Sequence, residues 1–112
     1  MSLEMTTKYD INTLKLGPIG DTVMFENDRV RVWDFTVEPG KSKGWHKHEL
    51  PYVIIPMTEG EIEIESALTG QIEKPKSVIG SPIWREAGEV HDLRNVGATT
   101  YRNILIELKR PD

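Results

Sequence analysis

The residues in this chain best suited to chemistry are its three histidines. His46 and His48 stand one residue apart in "GWHKHELPYVIIPMTEGE", residues 44–61, and His91 lies far downstream in a second glycine-rich stretch. A strand alternates its side chains, so a His-x-His pair puts two imidazoles on one side of a sheet. A lone strand histidine is usually structural. A pair on one face, with a third ring within reach, is the pattern of a metal site. Neutral imidazole binds zinc, iron, copper and nickel, so the rings do not choose among these ions. Whether His91 joins the pair depends on the elements that carry it.

Those elements read as short strands. No window shows a clean helical stripe, and β-type runs recur between turn signals spaced about eight to twelve residues apart. They are "DTVMFE", "RVRVWDFTV", "GWHKHE", "PYVIIPM", "EIEIES", "QIEK", "SVI", "PIWRE", "VHDLRN" and "YRNILIELK", broken at Asn27-Asp28, Pro39-Gly40, Glu59-Gly60, Thr69-Gly70, Gly88 and Gly97. "EIEIES" alternates strictly, which predicts Ile62 and Ile64 inside and Glu61, Glu63 and Glu65 in water. The pattern is that of an all-β sandwich or barrel and fits a double-sheet jelly roll. With 112 residues the chain is one domain: residues 1–20 are expected as an N-terminal arm or edge strand, and 21–112 as the barrel.

Composition narrows the function classes. There is no cysteine, so thiolate metal sites and disulfides are excluded. The net charge of -4 is spread along the chain without a Lys/Arg run, which argues against nucleic acid and anionic membrane as partners. No apolar stretch approaches the roughly 18 residues of a membrane span, and the opening "MSLEMTTKYD" lacks the apolar centre of a signal peptide, so a cytoplasmic globular protein is expected.

The spacing of the glycines and histidines resembles the two motifs of the cupin family across residues 40–95. Gly40, His46, His48 and Gly60 match the first motif, and Gly80, Gly88, His91 and Asn95 match the second. Two positions depart from it. The motif glutamate falls on Val53, or on Tyr52 with the shorter of the family's two spacings, and the motif proline falls on Glu86. The resemblance implies a double-stranded β-helix, the jelly-roll cupin barrel, in which His91 meets His46 and His48 across the interior. Together they would hold a divalent ion (Fe, Zn, Ni or Mn) with open coordination positions and no acidic protein ligand. Glu49, the nearest acid, alternates away from the rings. Within the family, "GWHKHELPYVIIPM" and "WREAGEVHDLRN" look most like small single-domain members associated with β-alanine degradation.

That likeness draws attention to Arg85, where most cupins carry an inward aliphatic residue. A buried guanidinium must be paired, and beside a metal it can anchor a small carboxylate; a salt bridge with Glu86 or another acid is the plainer role. Tyr52 is a candidate hydrogen-bond donor at the site. Val53, Ile55 and Met57 are expected to line the pocket, Trp45 to pack toward the flanking arm or a dimer face, Trp33 and Trp84 to serve core or interface, and Asn95 to stabilise a turn. The functional expectation is a metal-dependent small-molecule enzyme, a dioxygenase or an isomerase/lyase acting on a small carboxylate or carbonyl compound. The rival is a non-catalytic cupin that binds a small ligand. The resemblance also implies a homodimer formed through sheet edges or exchanged arms.

Overall fold

The computed structural model describes residues 9–109, which contain no helix. The strands are β1 (Thr22–Glu26), β2 (Val30–Val37), β3 (His46–Lys47), β4 (Tyr52–Pro56), β5 (Ile62–Ser66), β6 (Ile72–Glu73), β7 (Ile83–Arg85), β8 (Val90–Asn95) and β9 (Tyr101–Leu108). They pair antiparallel into two sheets, one ordered β1-β2-β9-β4-β7 and the other β3-β8-β5-β6. Phe35, Tyr52, Tyr101 and Leu105 of the first sheet share one core with Ile62, Ile64 and Leu93 of the second. This is the expected jelly roll: each sheet hides one face against the other.

Alternation places the side chains. Along β9, Tyr101, Asn103, Leu105 and Glu107 are buried, while the residues between them are half-buried on the opposite face. The loop after β8 is tied by Asn95, whose Nδ2 donates to the Val37 and Thr99 carbonyls (2.9 and 2.8 Å) while its Oδ1 accepts from Gly97 N–H (2.9 Å). Asn95 is therefore a turn-holding residue, as its position in the sequence indicates.

The structure departs from the sequence reading in three places. Ser77–Ile79 form no strand; Pro75 and Gly80 bracket the segment too closely for a ladder, and Val78 and Ile79 lie exposed. On β4 the buried residues are Tyr52 and Pro56, with Ile54 packed on the core, so Val53, Ile55 and Met57 do not line the interior. The alternation set by His46 and His48 passes through Leu50-Pro51 without an extra residue, so even-numbered positions stay inside. Glu65 is buried rather than in water: Tyr9 Oη and Arg94 Nη1 both donate to its carboxylate at 3.0 Å.

At the N-terminus, where an arm or an edge strand is expected, residues 9–20 form no strand. They lie as an arm on the barrel, with the Tyr9 ring 4.5 Å from that of Trp45 and Gly17 N–H donating to the Trp45 carbonyl. Trp45 thus packs toward the arm. Residues 1–8 of the expected arm lie outside the described residues.

Candidate metal centre

β3 and β8 are adjacent, with His46 opposite His91. The ladder continues past β3: His48 N–H donates to the Glu89 carbonyl (2.9 Å) and Gly88 N–H to the His48 carbonyl (2.7 Å). The three histidines therefore share the inner face of one sheet, instead of meeting across the interior as the resemblance implied. All are buried, and their candidate ligand atoms lie within 4.8 Å of one another.

Each ring is oriented by its surroundings. His46 Nδ1 lies 2.7 Å from the Gly44 carbonyl. A carbonyl only accepts, so this nitrogen carries the proton and Nε2 keeps its lone pair. Gly44 sits at φ 99°, where a side chain is strained, and its N–H donates to Asp92 Oδ1 (2.8 Å). His48 stacks on Tyr52, with ring centroids 3.9 Å apart and planes 13° apart. His48 Nε2 and His91 Nε2 are 3.1 Å apart, and His48 Nδ1 is buried with no hydrogen-bond partner among the described residues.

Burial drives all three imidazoles below their usual pKa. For His48 burial, followed by the charges of His91 and His46, brings it to about 2; for His91 burial and His46 bring it to about 3. Neutral rings are the form that ligates. Two ligands about 2.1 Å from one ion and at right angles to each other would be about 3 Å apart, which matches the 3.1 Å Nε2 separation. The donor set fits a divalent cation.

Beside the rings stands a polar chain that the sequence reading found only in part. Glu89 Oε1 lies 3.6 Å from His91 Nδ1. The same carboxylate accepts from Tyr52 Oη (3.0 Å) and takes two bonds from Arg85, Nε to Oε1 at 3.0 Å and Nη2 to Oε2 at 2.8 Å. Burial pulls the Glu89 carboxyl upward, but the hydrogen bond and charge of Arg85 outweigh it and hold Glu89 below the usual carboxylate range. Burial, and then Glu89, raise the Tyr52 phenol far above its ordinary value, so it stays a donor. Arg85 also reaches Glu73 through longer contacts of 3.3 and 3.4 Å.

Arg85 and Tyr52, both singled out from sequence, thus come together beside His91. Glu86 is not the partner of Arg85; it accepts from Trp84 Nε1 (2.7 Å). The inward residue at the motif glutamate is Tyr52, and Glu49 stays outside. Sequence reasoning missed Glu89, although its spacing of two from His91 signals a shared face. Glu73, on the distant β6, gave no local signal. Glu73, Arg85, Glu89 and His91 border a cavity of about 250 Å³, together with Ile64 and Ser66. An open groove of about 1210 Å³ between the 59–63, 74–78 and 96–99 loops contains none of these residues.

A double-stranded β-helix with three converging histidines defines a cupin, and this chain belongs to the cupin family. No protein-family model matches it. Among curated proteins, it is 32% identical over 88 residues to the beta-alanine degradation protein BauB of Pseudomonas aeruginosa, covering 79% of this chain and 90% of BauB. Among solved structures, a cupin domain from Bordetella pertussis is 31% identical, with a TM-score of 0.71 over 80% of this chain and 91% of that one. An RmlC-like cupin with a double-stranded β-helix fold from Methanocaldococcus jannaschii, 12% identical, has a TM-score of 0.63 over 85% of this chain and 95% of the other, a likeness of fold. Among the described residues, no helix is long and apolar enough to cross a membrane.

Proposed function

We propose that this cupin is a metal-dependent enzyme acting on a small carboxylate or carbonyl compound. The observation carrying the proposal is the triad His46, His48 and His91, neutral and buried, with its ligand atoms within 4.8 Å and a small cavity bordered by one of its members. Those residues would hold a divalent ion, which would supply Lewis-acid or redox chemistry and, having three protein ligands, would leave positions open.

The chain's own residues would do the rest. A cavity of about 250 Å³ suits a substrate of a few heavy atoms. Glu89, within reach of His91 and ionised, would accept the proton, and Tyr52 Oη, which stays protonated, would hold that carboxylate in position by hydrogen bonding. Arg85 orients Glu89 through its two-bond contact. The contact of Arg85 with Glu73 is longer, and the Glu73 side chain is 54% exposed, so a substrate carboxylate can take its place on Nη2 at little cost. Glu89 beside His91 is an acid/base group that a non-catalytic binding module would not need, and it favours the enzyme over that rival. The name of BauB, with its reference to β-alanine degradation, supports small carboxylates as the first substrates to try.

The test begins with metal analysis after aerobic and anaerobic purification. The stripped protein is then reloaded with Fe(II), Mn, Ni or Zn and assayed against small carboxylic and keto acids for oxygen uptake and for product. Near-stoichiometric metal and turnover lost in His91→Ala are expected. Less than roughly 0.2 ions per chain in every preparation, with no turnover, would make the protein a non-catalytic binder.

A further inference from the structure

Two of the three histidines depend on a strand that can do little to hold its own place. β3 is two residues long and stands at the edge of its sheet, yet it carries His46, and His48 follows one residue past its end. So short a strand makes too few ladder bonds to fix itself. Other contacts hold the three consecutive residues that lead into it. Gly44 N–H donates to Asp92 Oδ1 (2.8 Å), the Trp45 carbonyl accepts from Gly17 N–H of the arm (2.8 Å), and His46 Nδ1 donates to the Gly44 carbonyl (2.7 Å). Tyr9 secures the start of the arm. Its ring lies 4.5 Å from that of Trp45, and its Oη donates to Glu65, which also accepts from Arg94, itself 3.9 Å from Asp92. The arm is pinned at its other end too: Ile19 belongs to the core, and Gly20 packs so closely that an added Cβ would come within 2.9 Å of Trp33.

We infer that the arm and Asp92, acting from the outer face of the histidine sheet, position His46 for its ion, so that arm docking and metal binding strengthen each other. The inference rests on the proposed metal site. Tyr9, Gly17 and Asp92 are positioning residues, since they act through Gly44 and Trp45. Asp92 is only 7% exposed, and taking a carboxylate out of water is costly. One glycine N–H and an arginine 3.9 Å away return little net stability for that burial. What the contact does fix is Gly44 at φ 99°, the conformation in which its carbonyl meets His46 Nδ1. Ligand distances around an ion tolerate only about 0.2 Å, so a loosened β3 loses metal affinity before the barrel loses its fold. Coupling between two binding events is reciprocal. An ion that fixes β3 therefore tightens the arm by the same factor by which the docked arm tightens the ion.

Zinc binding by the full chain, in competition with a chromogenic chelator, tests the inference. Asp92→Ala should bind Zn(II) about 10–100-fold more weakly, whereas Asp92→Asn, which keeps an oxygen for Gly44 N–H, should stay within about threefold of wild type. Tyr9→Ala should weaken binding at least about fivefold, and exchange of the Gly17 amide in the wild type should slow at least about fivefold when zinc is added. Imidazole nitrogen spectra of the metal-free protein read the ring itself: the Nδ1–H form of His46 alone in wild type and Asp92→Asn, and a mixture of both forms in Asp92→Ala. Asn95→Ala, which destabilises the barrel away from β3, should keep its zinc affinity. Wild-type affinity in Asp92→Ala, an equal loss in Asp92→Asn, a matching loss in Asn95→Ala or Gly17 exchange indifferent to zinc would each overturn the inference while the metal site stood. Zinc bound by neither wild type nor variants would overturn the site and the coupling with it, and the metal-free spectra would still show whether the ring is held from outside.

Discussion

Acidification of the metal-free protein tests the packing of the histidine cluster without reference to any reaction. His48 and His91 titrate near pH 2 and 3 in the folded chain, both driven there mainly by burial, against 6.5 once exposed. Above pH 6.5 both states hold neutral rings and the cluster makes no pH-dependent difference. Below it the unfolded chain takes up protons that the folded chain refuses, so stability falls as pH falls, from about 6.5 down to about 3. At pH 5.5 each ring lowers stability by about 1.4 kcal/mol relative to pH 7.5, so the pair lowers it by about 3 kcal/mol. His46, also shifted down by burial, adds in the same direction. Any folded-state value below about 4.5 gives the same answer, and carboxylates contribute little above pH 5. Against a typical total of about 5–15 kcal/mol, the loss is large. Urea unfolding after chelator treatment, at pH 7.5 and 5.5, measures it, with His48→Gln/His91→Gln as the control that keeps only the His46 contribution. Equal stability at the two pH values, or an equal fall in the control, would refute the reasoning: the imidazoles would then be protonated or solvated in the folded state.

Further predictions concern the groups around the rings. Glu89→Gln removes the carboxylate beside His91 and should weaken metal binding about 10–100-fold in competition with a chromogenic chelator; a change under about twofold would count against its role. Gly44→Ala forces a side chain into φ 99° and disturbs the carbonyl that holds His46, so it should cost about 1–2 kcal/mol in urea unfolding and also lower metal affinity. Asn95→Ala strips partners from two carbonyls and an N–H and should destabilise by about 2–4 kcal/mol, with the remaining folded protein binding metal normally. A smaller loss would mean that water replaces the side chain.

Much of this protein was legible in its sequence because the signals were local. The spacing of turn residues implied an all-β chain of short strands, and the His-x-His alternation put two rings on one face. Glycine and histidine spacing carried the family resemblance and pointed to His91, Arg85 and Tyr52. Alternation also contained an answer that was not drawn from it: even-numbered residues face inward from His46 through Pro56, which selects Tyr52 over Val53 at the motif glutamate. Other features depended on which strands became neighbours. Pairing of β3 with β8 put His91 beside His46 in one sheet, and Glu73 reached Arg85 from a strand with no local tie to the site. Glu65, in a segment whose pattern says solvent, is buried because Tyr9 and Arg94 cover it from distant parts of the chain. Phe25, Val32, Ile106, Val53 and Trp84, one from each strand of the larger sheet, form an apolar row only because strand pairing puts them in register. Periodicity along a chain says which side of its own strand a residue occupies; only the closed fold decides what stands opposite, and burial, charge pairing and metal geometry are all properties of that opposition.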